Sequence, residues 1–228
     1  MANNAEVPIA RLLEVSAPSS EVRPPQQRRS QKSFERVLAA GAEVLREVGL
    51  SGFTLQTVSE RAGVGVGSIY LRVPSREALI LAIHAREMDR MAIEDEQVIT
   101  RVVDATLPPV AHVQTLVTEI GGYMLANADI LAVFMTLGPS DNEVWRNGGE
   151  RSREVGRRFR AAMEPIRSEI THSDPDLAID IVYRVVYDTI ARRISRGEQF
   201  ESERALPDPI LLRELARVAV DYLFGSVG

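Results

Sequence analysis

The segment of residues 54–79, TLQTVSERAGVGVGSIYLRVPSREAL, constrains the fold of this chain more than any other. Two short stretches with helical spacing of apolar residues flank residues 63–65, and each is too short to be stable alone. Thr54 is a typical N-cap for the first stretch, and Gly63 follows where a tight turn needs a positive φ. Pro74 ends the second stretch, because the residue before a proline avoids the α region. The pattern predicts two short helices held at a fixed angle.

The rest of the chain also has helical periodicity, and no alternating run of strand length stands out. A helix over 31–48 is predicted to stop at Gly49, and Ser75 is predicted to cap a long fourth helix. Further helices are predicted over 110–127, 129–137, 142–171, 177–196 and 210–224. We therefore expect an all-α protein.

Charge is distributed unevenly along the 228 residues, whose formal net charge is −5. Residues 21–77 hold nine Lys or Arg and six Asp or Glu, whereas residues 78–228 hold 17 and 24. This balance indicates that one part of the chain meets a polyanion and the other does not. Residues 1–30 are rich in proline and end in a basic run, so they are predicted to be a flexible arm with at most a short helix near 9–15. The basic end of this arm either lies along a phosphate backbone or is a solvated tail.

A short helix held by its back suits the DNA major groove, which admits one α-helix. Val66 and Ile69 can face the core, and Gly67 between them lets backbone and DNA approach closely. The side chains that then point away from the core are those of Ser68, Leu71 and Arg72. These features predict a three-helix DNA-binding domain with a helix-turn-helix.

Residues 37–79 resemble the TetR family of bacterial one-component repressors, with the matching residues in the family's order. Ala62-Gly63-Val64 matches the turn, Gly67-Ser68-Ile69-Tyr70 the recognition helix, and Ser75-Arg76-Glu77 the start of the fourth helix. The chain departs from the family pattern where Gly65 replaces a serine, Val66 a polar residue, Ser68 a threonine, Ser59 an alanine, Val73 a phenylalanine and Arg76 a lysine. Few base-reading donors remain on the recognition helix.

The resemblance implies a set of DNA contacts at the matching positions. Thr54, Tyr70 and Arg76 would bind phosphates, and Arg72 is the predicted direct reader of a base, with guanine as its target. The full predicted set is Lys32, Thr54, Gln56, Val66, Gly67, Ser68, Tyr70, Leu71, Arg72 and Arg76, to which Arg28 and Arg29 add sequence-independent affinity. Three alternatives stay open: Tyr70 as a core residue, Arg72 as a solvated charge, and Thr54 as a helix cap alone.

The resemblance also implies that the acidic body is a helical domain that dimerises and binds a small-molecule effector. Apolar stripes on 177–196 and 210–224 fit a four-helix bundle between two copies, and they also fit an intramolecular core. The predicted effector-pocket residues are Tyr123, Met124, Phe134, Met135, Trp145, Tyr183 and Tyr187. Gly121-Gly122 within a predicted helix marks either a close helix crossing or space for a ligand.

The sequence thus predicts a flexible arm (1–30), a helix-turn-helix domain (31–78) and a larger helical effector-binding and dimerisation domain (79–228). The expected function is that of a repressor that binds double-stranded operator DNA as a homodimer and is released by a partly apolar small molecule. The alternative is an architectural or effector-independent DNA-binding protein. No enzyme activity, cofactor or metal is expected, because there is no cysteine and no histidine pair at metal-binding spacing. Without a visible signal peptide or transmembrane run, we expect a cytoplasmic, nucleoid-associated protein with no membrane partner.

Overall fold

The computed structural model describes residues 25–137, 142–200 and 202–225, without the side chains of 25–29 and 142. These residues form helices and no strand, so the predicted all-α class is confirmed. The helices are α1 (Pro25–Gly52), α2 (Leu55–Ala62), α3 (Val66–Tyr70), α4 (Arg76–Asp104), α5 (Pro109–Ala126), α6 (Ala128–Leu137), α7 (Asn142–Met163), α8 (Pro175–Arg196) and α9 (Asp208–Phe224). The chain divides into two compact units, 1–87 and 88–228, and α4 contributes residues to both. The sequence analysis places the boundary between the two domains at residues 78 and 79, nine residues before the division between these units.

The start of α1 corrects the sequence-based prediction. The helix begins at Pro25, so the prediction of an irregular arm is wrong for residues 25–30. Proline is compatible with the first turn of a helix, because the N–H it lacks would have no partner there. The short helix predicted near 9–15 lies outside the described residues. Gly49 interrupts the helical conformation of α1 with a φ of 62°, as expected for a glycine stop.

The helix predicted over 142–171 is shorter than expected. It ends at Met163 and continues as a 3-10 helix, Glu164–Glu169. Pro165 explains the change, because it has no N–H for the α-helical hydrogen bond and its ring crowds the preceding turn.

The first unit packs α1 against α2 and α2 against α3 around an apolar core. Core residues of this unit are Val37, Leu38, Val44, Leu45, Phe53, Val58, Ile69, Val73, Leu79 and Ile83. Val73, which stands where the family usually has phenylalanine, is completely buried. A Cβ added at Gly41 would lie 2.4 Å from Ile83 Cδ1, so glycine permits the close approach of α1 and α4.

The second unit packs α5 against α8 and α9, with α6 and α7 on α8. Its core includes Val113, Leu116, Ile120, Phe159, Met163, Val182, Ile190, Leu215 and Leu223. A Cβ added at Gly121 would lie 2.4 Å from Leu212 Cδ2 and 2.7 Å from Ile190 Cδ1. Of the two sequence-based explanations, the close helix crossing is therefore correct for Gly121. Within the described ranges no single helix is long and apolar enough to cross a membrane, although the bent pair α5–α6 passes on length and composition.

Candidate nucleic-acid interface

Hydrogen bonds at both ends of α2 fix the helix-turn-helix. The Thr54 hydroxyl accepts the N–H of Thr57 at 3.1 Å, and Thr57 Oγ1 accepts the N–H of Thr54 at 3.2 Å. This reciprocal capping box satisfies two donors that the helix cannot. Gly63 ends α2 in the left-handed region, with φ 62° and ψ 38°. Thr54 is therefore the cap that the sequence predicted, while its phosphate contact stays a prediction.

Ser59 braces the turn in a way that sequence reasoning missed. Its hydroxyl donates to the Val64 carbonyl at 2.7 Å, and its own carbonyl accepts the Val64 N–H at 3.1 Å. Ser59 is buried, so an alanine there would leave the Val64 carbonyl without this partner. The signal in the sequence was a polar residue on the face of α2 that packs into the core.

The recognition helix α3 is held by one buried side chain and exposes most of the rest. Ile69 is 1% exposed and anchors the helix, whereas Val66 is half-buried rather than part of the core. Tyr70 and Leu71 are 54% and 86% exposed, so the interpretation of Tyr70 as a core residue is wrong. A Cβ added at Gly67 would meet no atom within 4 Å. Packing within this unit therefore gives no reason for glycine at that position.

Arg72 lies against the beginning of α1. Its guanidinium is 5.6 Å from the centre of the Phe34 ring and donates to the Ser30 hydroxyl. These contacts rule out the interpretation of Arg72 as a simple solvated charge. A groove of about 770 Å³ adjoins them, lined by Ser30, Lys32, Ser33, Phe34, Arg36, Val37, Val64, Ser68, Leu71 and Arg72. None of these residues is acidic.

Arg76 has a structural role that the sequence did not reveal. Its Nε donates to the Phe53 carbonyl at 2.9 Å, and Nη2 donates to the Leu50 carbonyl. The guanidinium also lies 5.7 Å from the centre of the Phe53 ring. These contacts tie the start of α4 to the end of α1 and to Phe53, which follows it. The phosphate contact expected of Arg76 stays a prediction, and three of its five N–H donors are already used, the third by Glu77 at 3.4 Å.

The remaining polar side chains of this face differ in how many contacts they already make within the unit. Gln56 donates to Glu60 at 2.7 Å on the exposed side of α2. Arg61 forms two hydrogen bonds with Glu47, at 2.8 and 2.6 Å, and these hold the pKa of Glu47 below its ordinary value. Lys32 is exposed and forms no ion pair within the described part of the chain. Lys32 is therefore available for an external anion.

None of the seven predicted effector-pocket residues lines any of the three grooves described for this chain. Met124 and Phe134 belong to the core, and Met135 is half-buried. Trp145 is 69% exposed within one chain, and its place in an effector pocket stays a prediction. A groove of about 470 Å³ between α5 and α9 is lined by Gln114, Thr115, Thr118, Pro209, Leu212, Arg213 and Ala216, none of them in the predicted set.

The three predicted pocket tyrosines have buried or half-buried rings with polar partners. Tyr183 donates to the Ser152 carbonyl, and its ring centre is 5.5 Å from that of Tyr187. Burial raises the pKa of Tyr183 to about 12 and also raises the pKa of Tyr187. Tyr123 donates to Glu94 at 3.1 Å. Burial raises the pKa of Tyr123 as well, so all three phenols are neutral donors at ordinary pH.

A buried charge cluster lies near these tyrosines in the second unit, and sequence reasoning did not find it. Asp95 is 4% exposed and pairs with Arg151 and, at 2.8 Å, with Arg158. Burial raises the pKa of Asp95 even though both guanidinium groups act to lower it. Arg151 Nη1 is buried and has no hydrogen-bond partner among the residues that the structure describes. Asp95 is 56 residues from Arg151 and 63 from Arg158 in the sequence, which is too far for a local pattern to reveal.

The geometry of the first unit defines a helix-turn-helix protein of the DNA-binding class. Residues 37–83 match the family model described as bacterial regulatory proteins, tetR family. No curated protein sequence matches the chain.

Solved structures extend the similarity to most of the chain. A TetR-family transcriptional regulator from Mesorhizobium loti has a TM-score of 0.68 at 14% identity, covering 86% of this chain and 96% of its own. A TetR/AcrR-family regulator from Thermobifida fusca has a TM-score of 0.55 at 18% identity, with 84% and 97% covered. FadR from Bacillus subtilis, in complex with stearoyl-CoA, has a TM-score of 0.57 at 16% identity, with 86% and 100% covered. The chain therefore carries a TetR-type helix-turn-helix domain on the fold of TetR-family regulators, and these findings support a DNA-binding transcriptional regulator.

Proposed function

We propose that this protein is a sequence-specific transcriptional repressor that binds operator DNA as a homodimer and leaves it when a small-molecule effector binds. The observation that carries the DNA-binding part is the exposed face of α3. Leu71 is 86% exposed and Tyr70 54%, while Ile69 beside them is buried. A five-residue helix with one anchored side is the arrangement by which a helix-turn-helix presents its second helix to the major groove.

The proposed dimer uses apolar side chains that α8 and α9 leave exposed. On α8, Leu177 and Val185 are 50% and 43% exposed, with the half-buried Ile181 midway between them at helical spacing. On α9, Val218 and Tyr222 are 52% and 38% exposed, again four residues apart. Because α8 and α9 pack together, a second copy meeting the same surface would bury all of these residues in a four-helix arrangement.

The dimer is tested by sedimentation of Val218→Asp. We expect the wild type to sediment as a dimer and the variant as a monomer with unchanged helix content. Val110→Asp is the matched control, because Val110 is 44% exposed but lies on α5, which contributes no residue to the proposed dimer surface. A monomeric wild type would contradict the proposed dimer.

The proposed effector combines an apolar part with an anionic group. The cluster around Asp95 supports the anionic group, because Arg151 Nη1 is buried and unpaired within the described residues. Of the three neutral phenols, those of Tyr123 and Tyr183 already donate to Glu94 and to the Ser152 carbonyl, so the phenol of Tyr187 is the further donor in the same unit. The similar FadR of Bacillus subtilis was solved with stearoyl-CoA, which has both chemical features. Stearoyl-CoA is therefore the first probe for DNA release, and failure of long-chain acyl-CoAs and fatty acids to release DNA would contradict this effector class.

The experiment that tests DNA recognition is a binding titration at several salt concentrations. The probes are duplex DNA selected by the wild type from a random pool and a scrambled duplex of the same composition. A repressor prefers the selected duplex, and Tyr70→Phe weakens binding to both duplexes alike if Tyr70 contacts a phosphate. Equal affinity for both duplexes would favour the alternative function, an architectural DNA-binding protein. Absence of binding at low salt would contradict both.

A further inference from the structure

The groove between the beginning of α1 and the recognition helix has the chemistry of a phosphate site. We propose that it holds the backbone of duplex DNA, and that Arg72 contacts a phosphate there rather than a base. Ser30 and Phe34 act as positioning residues for Arg72. This inference rests on the proposed DNA-binding function and assigns a different role to Arg72 from the one that the sequence predicted.

Charge in the groove favours a polyanion. Three cations, Lys32, Arg36 and Arg72, line it together with serine hydroxyls that can also donate to phosphate oxygens. The nearest acidic neighbour in sequence, Glu35, does not line this groove and instead pairs with Arg86 at 3.3 Å. Lys32 and Arg36 are exposed and form no ion pair in the described ranges, so both charges are available.

The contacts of Arg72 hold it without using all of its donors. The Arg72 guanidinium lies over the Phe34 ring, 5.6 Å from its centre, and one N–H donates to Ser30. A guanidinium carries five N–H donors, so a single hydrogen bond leaves four of them without a hydrogen-bond acceptor in the described residues. The remaining donors can meet two phosphate oxygens at once, the geometry that arginine favours. Because the side chain is already oriented, little further side-chain entropy is lost when the phosphate binds.

The position of Arg72 along the chain also favours a backbone contact. In helix-turn-helix proteins the N-terminal residues of the recognition helix contact base edges. Arg72 follows Leu71, the C-cap of α3, and its guanidinium points to residues of α1. The guanidinium of Arg72 is therefore held against α1 beyond the end of α3, whereas the side chain of Leu71 is 86% exposed.

Most of the α1 residues that line the groove lie in a part of the chain that the family model does not cover. The match begins at residue 37, whereas Ser30, Lys32, Phe34 and Arg36 all precede it. The helix α1 starts still earlier, at Pro25. The proposed phosphate site thus includes residues of α1 that precede the segment matched by the family model.

The test measures affinity for the selected and the scrambled duplex over a series of salt concentrations. The variants are Arg72→Ala, Phe34→Leu, Ser30→Ala and the doubles with Arg72→Ala. Arg101→Ala is the charge-matched control, because Arg101 is exposed on α4 within the second unit. We expect Arg72→Ala to weaken both duplexes by the same factor, to keep their affinity ratio, and to reduce the slope of log affinity against log salt by about one. When Arg72 is present, Phe34→Leu and Ser30→Ala should each weaken DNA binding. In the double variants with Arg72→Ala, neither change should weaken binding further.

Several results would overturn this inference. If Arg72→Ala reduces the preference for the selected duplex and keeps the salt slope, Arg72 reads a base. If Phe34→Leu and Ser30→Ala reduce DNA affinity by the same factor with Arg72→Ala as without it, these two residues do not act through Arg72. A gain in DNA affinity on removing Arg72 would show that the groove holds an acidic segment instead. A wild type without sequence preference would contradict the repressor, but the salt slopes on the scrambled duplex would still decide the role of Arg72.

Discussion

The neighbouring glycines of α5 provide a test of the packing in the second unit. A Cβ at Gly121 would lie 2.4 Å from Leu212 Cδ2 and 2.7 Å from Ile190 Cδ1, whereas a Cβ at Gly122 would lie 3.9 Å from its nearest neighbour, Leu212 Cδ1. Both residues are inside the same helix, so replacing either by alanine gains about 1 kcal/mol of helix propensity. Only Gly121→Ala adds a methyl group to a filled space.

The expected difference between the two variants follows from these distances. Overpacking of a core costs about 1–3 kcal/mol, and Ile190 is fully buried and has little room to move. We expect Gly122→Ala to raise the free energy of unfolding by about 1 kcal/mol. Gly121→Ala should leave it unchanged or lower it by up to about 2 kcal/mol. The helix-propensity gain is common to both variants, so their difference of about 1–3 kcal/mol measures the crossing itself.

Urea denaturation followed by circular dichroism measures this difference. Both variants must be compared at one protein concentration, because the stability of a dimer depends on concentration. For a chain of this length, a change of 1 kcal/mol moves the melting temperature by about 2–4 °C, which gives a second measurement. Equal stabilisation by the two alanines would refute the close crossing and would return Gly121 to the other interpretation, space for a ligand.

Three further variants test contacts of buried polar groups. Ser59→Ala should lower the free energy of unfolding by about 1 kcal/mol through loss of the 2.7 Å bond to the Val64 carbonyl, and a urea midpoint equal to that of the wild type would contradict this. Asp95→Asn should cost about 3 kcal/mol because Arg151, whose side chain is largely buried, loses its carboxylate partner, while Glu96→Gln, at an exposed partner of Arg158, should cost little. Burial raises the pKa of Tyr183 to about 12, so the unfolded chain, with a pKa of about 10, loses this proton first and stability falls as pH rises above about 10. Tyr183→Phe should reduce that alkaline loss in a series of urea midpoints, and an unchanged pH dependence would argue against the buried phenol.

Local sequence signals were sufficient for α2 and its turn. Thr54, Gly63 and the apolar spacing between them predicted the bounds of α2, because capping and positive φ depend on residues that are adjacent in the chain. The same signals failed at Pro25, where a proline interpreted as part of an irregular arm instead occupies the first turn of α1. A proline is compatible with both structures, and only the packing of the following helix decides between them.

The arginines of the candidate site could not have been placed from the sequence. Arg72 and Ser30 are 42 residues apart, and Arg76 and Leu50 are 26 residues apart. Their contacts exist only once α1 has packed against the following helices. The sequence analysis selected both arginines as candidate DNA contacts, but it could not predict which groups of the protein each guanidinium would touch. The distinction matters because a guanidinium that is hydrogen-bonded to backbone carbonyls stabilises the fold, whereas a guanidinium that lines an open groove can bind a ligand.

If Arg72 contacts the DNA backbone, base recognition must rest on what α3 still exposes, and that is mostly apolar. Leu71, the C-cap of α3, is the most exposed large apolar residue of the described ranges, at 86%, and the hydroxyls on the helix are those of Ser68 and Tyr70. In the major groove an apolar side chain distinguishes thymine by its methyl group. We therefore expect that replacing thymine by uracil at a contacted position of the selected duplex weakens wild-type binding by about 0.8 kcal/mol, or about fourfold. The Leu71→Ala variant should bind the thymine-containing and the uracil-containing duplex equally. If this variant still prefers thymine, Leu71 does not contact the methyl group.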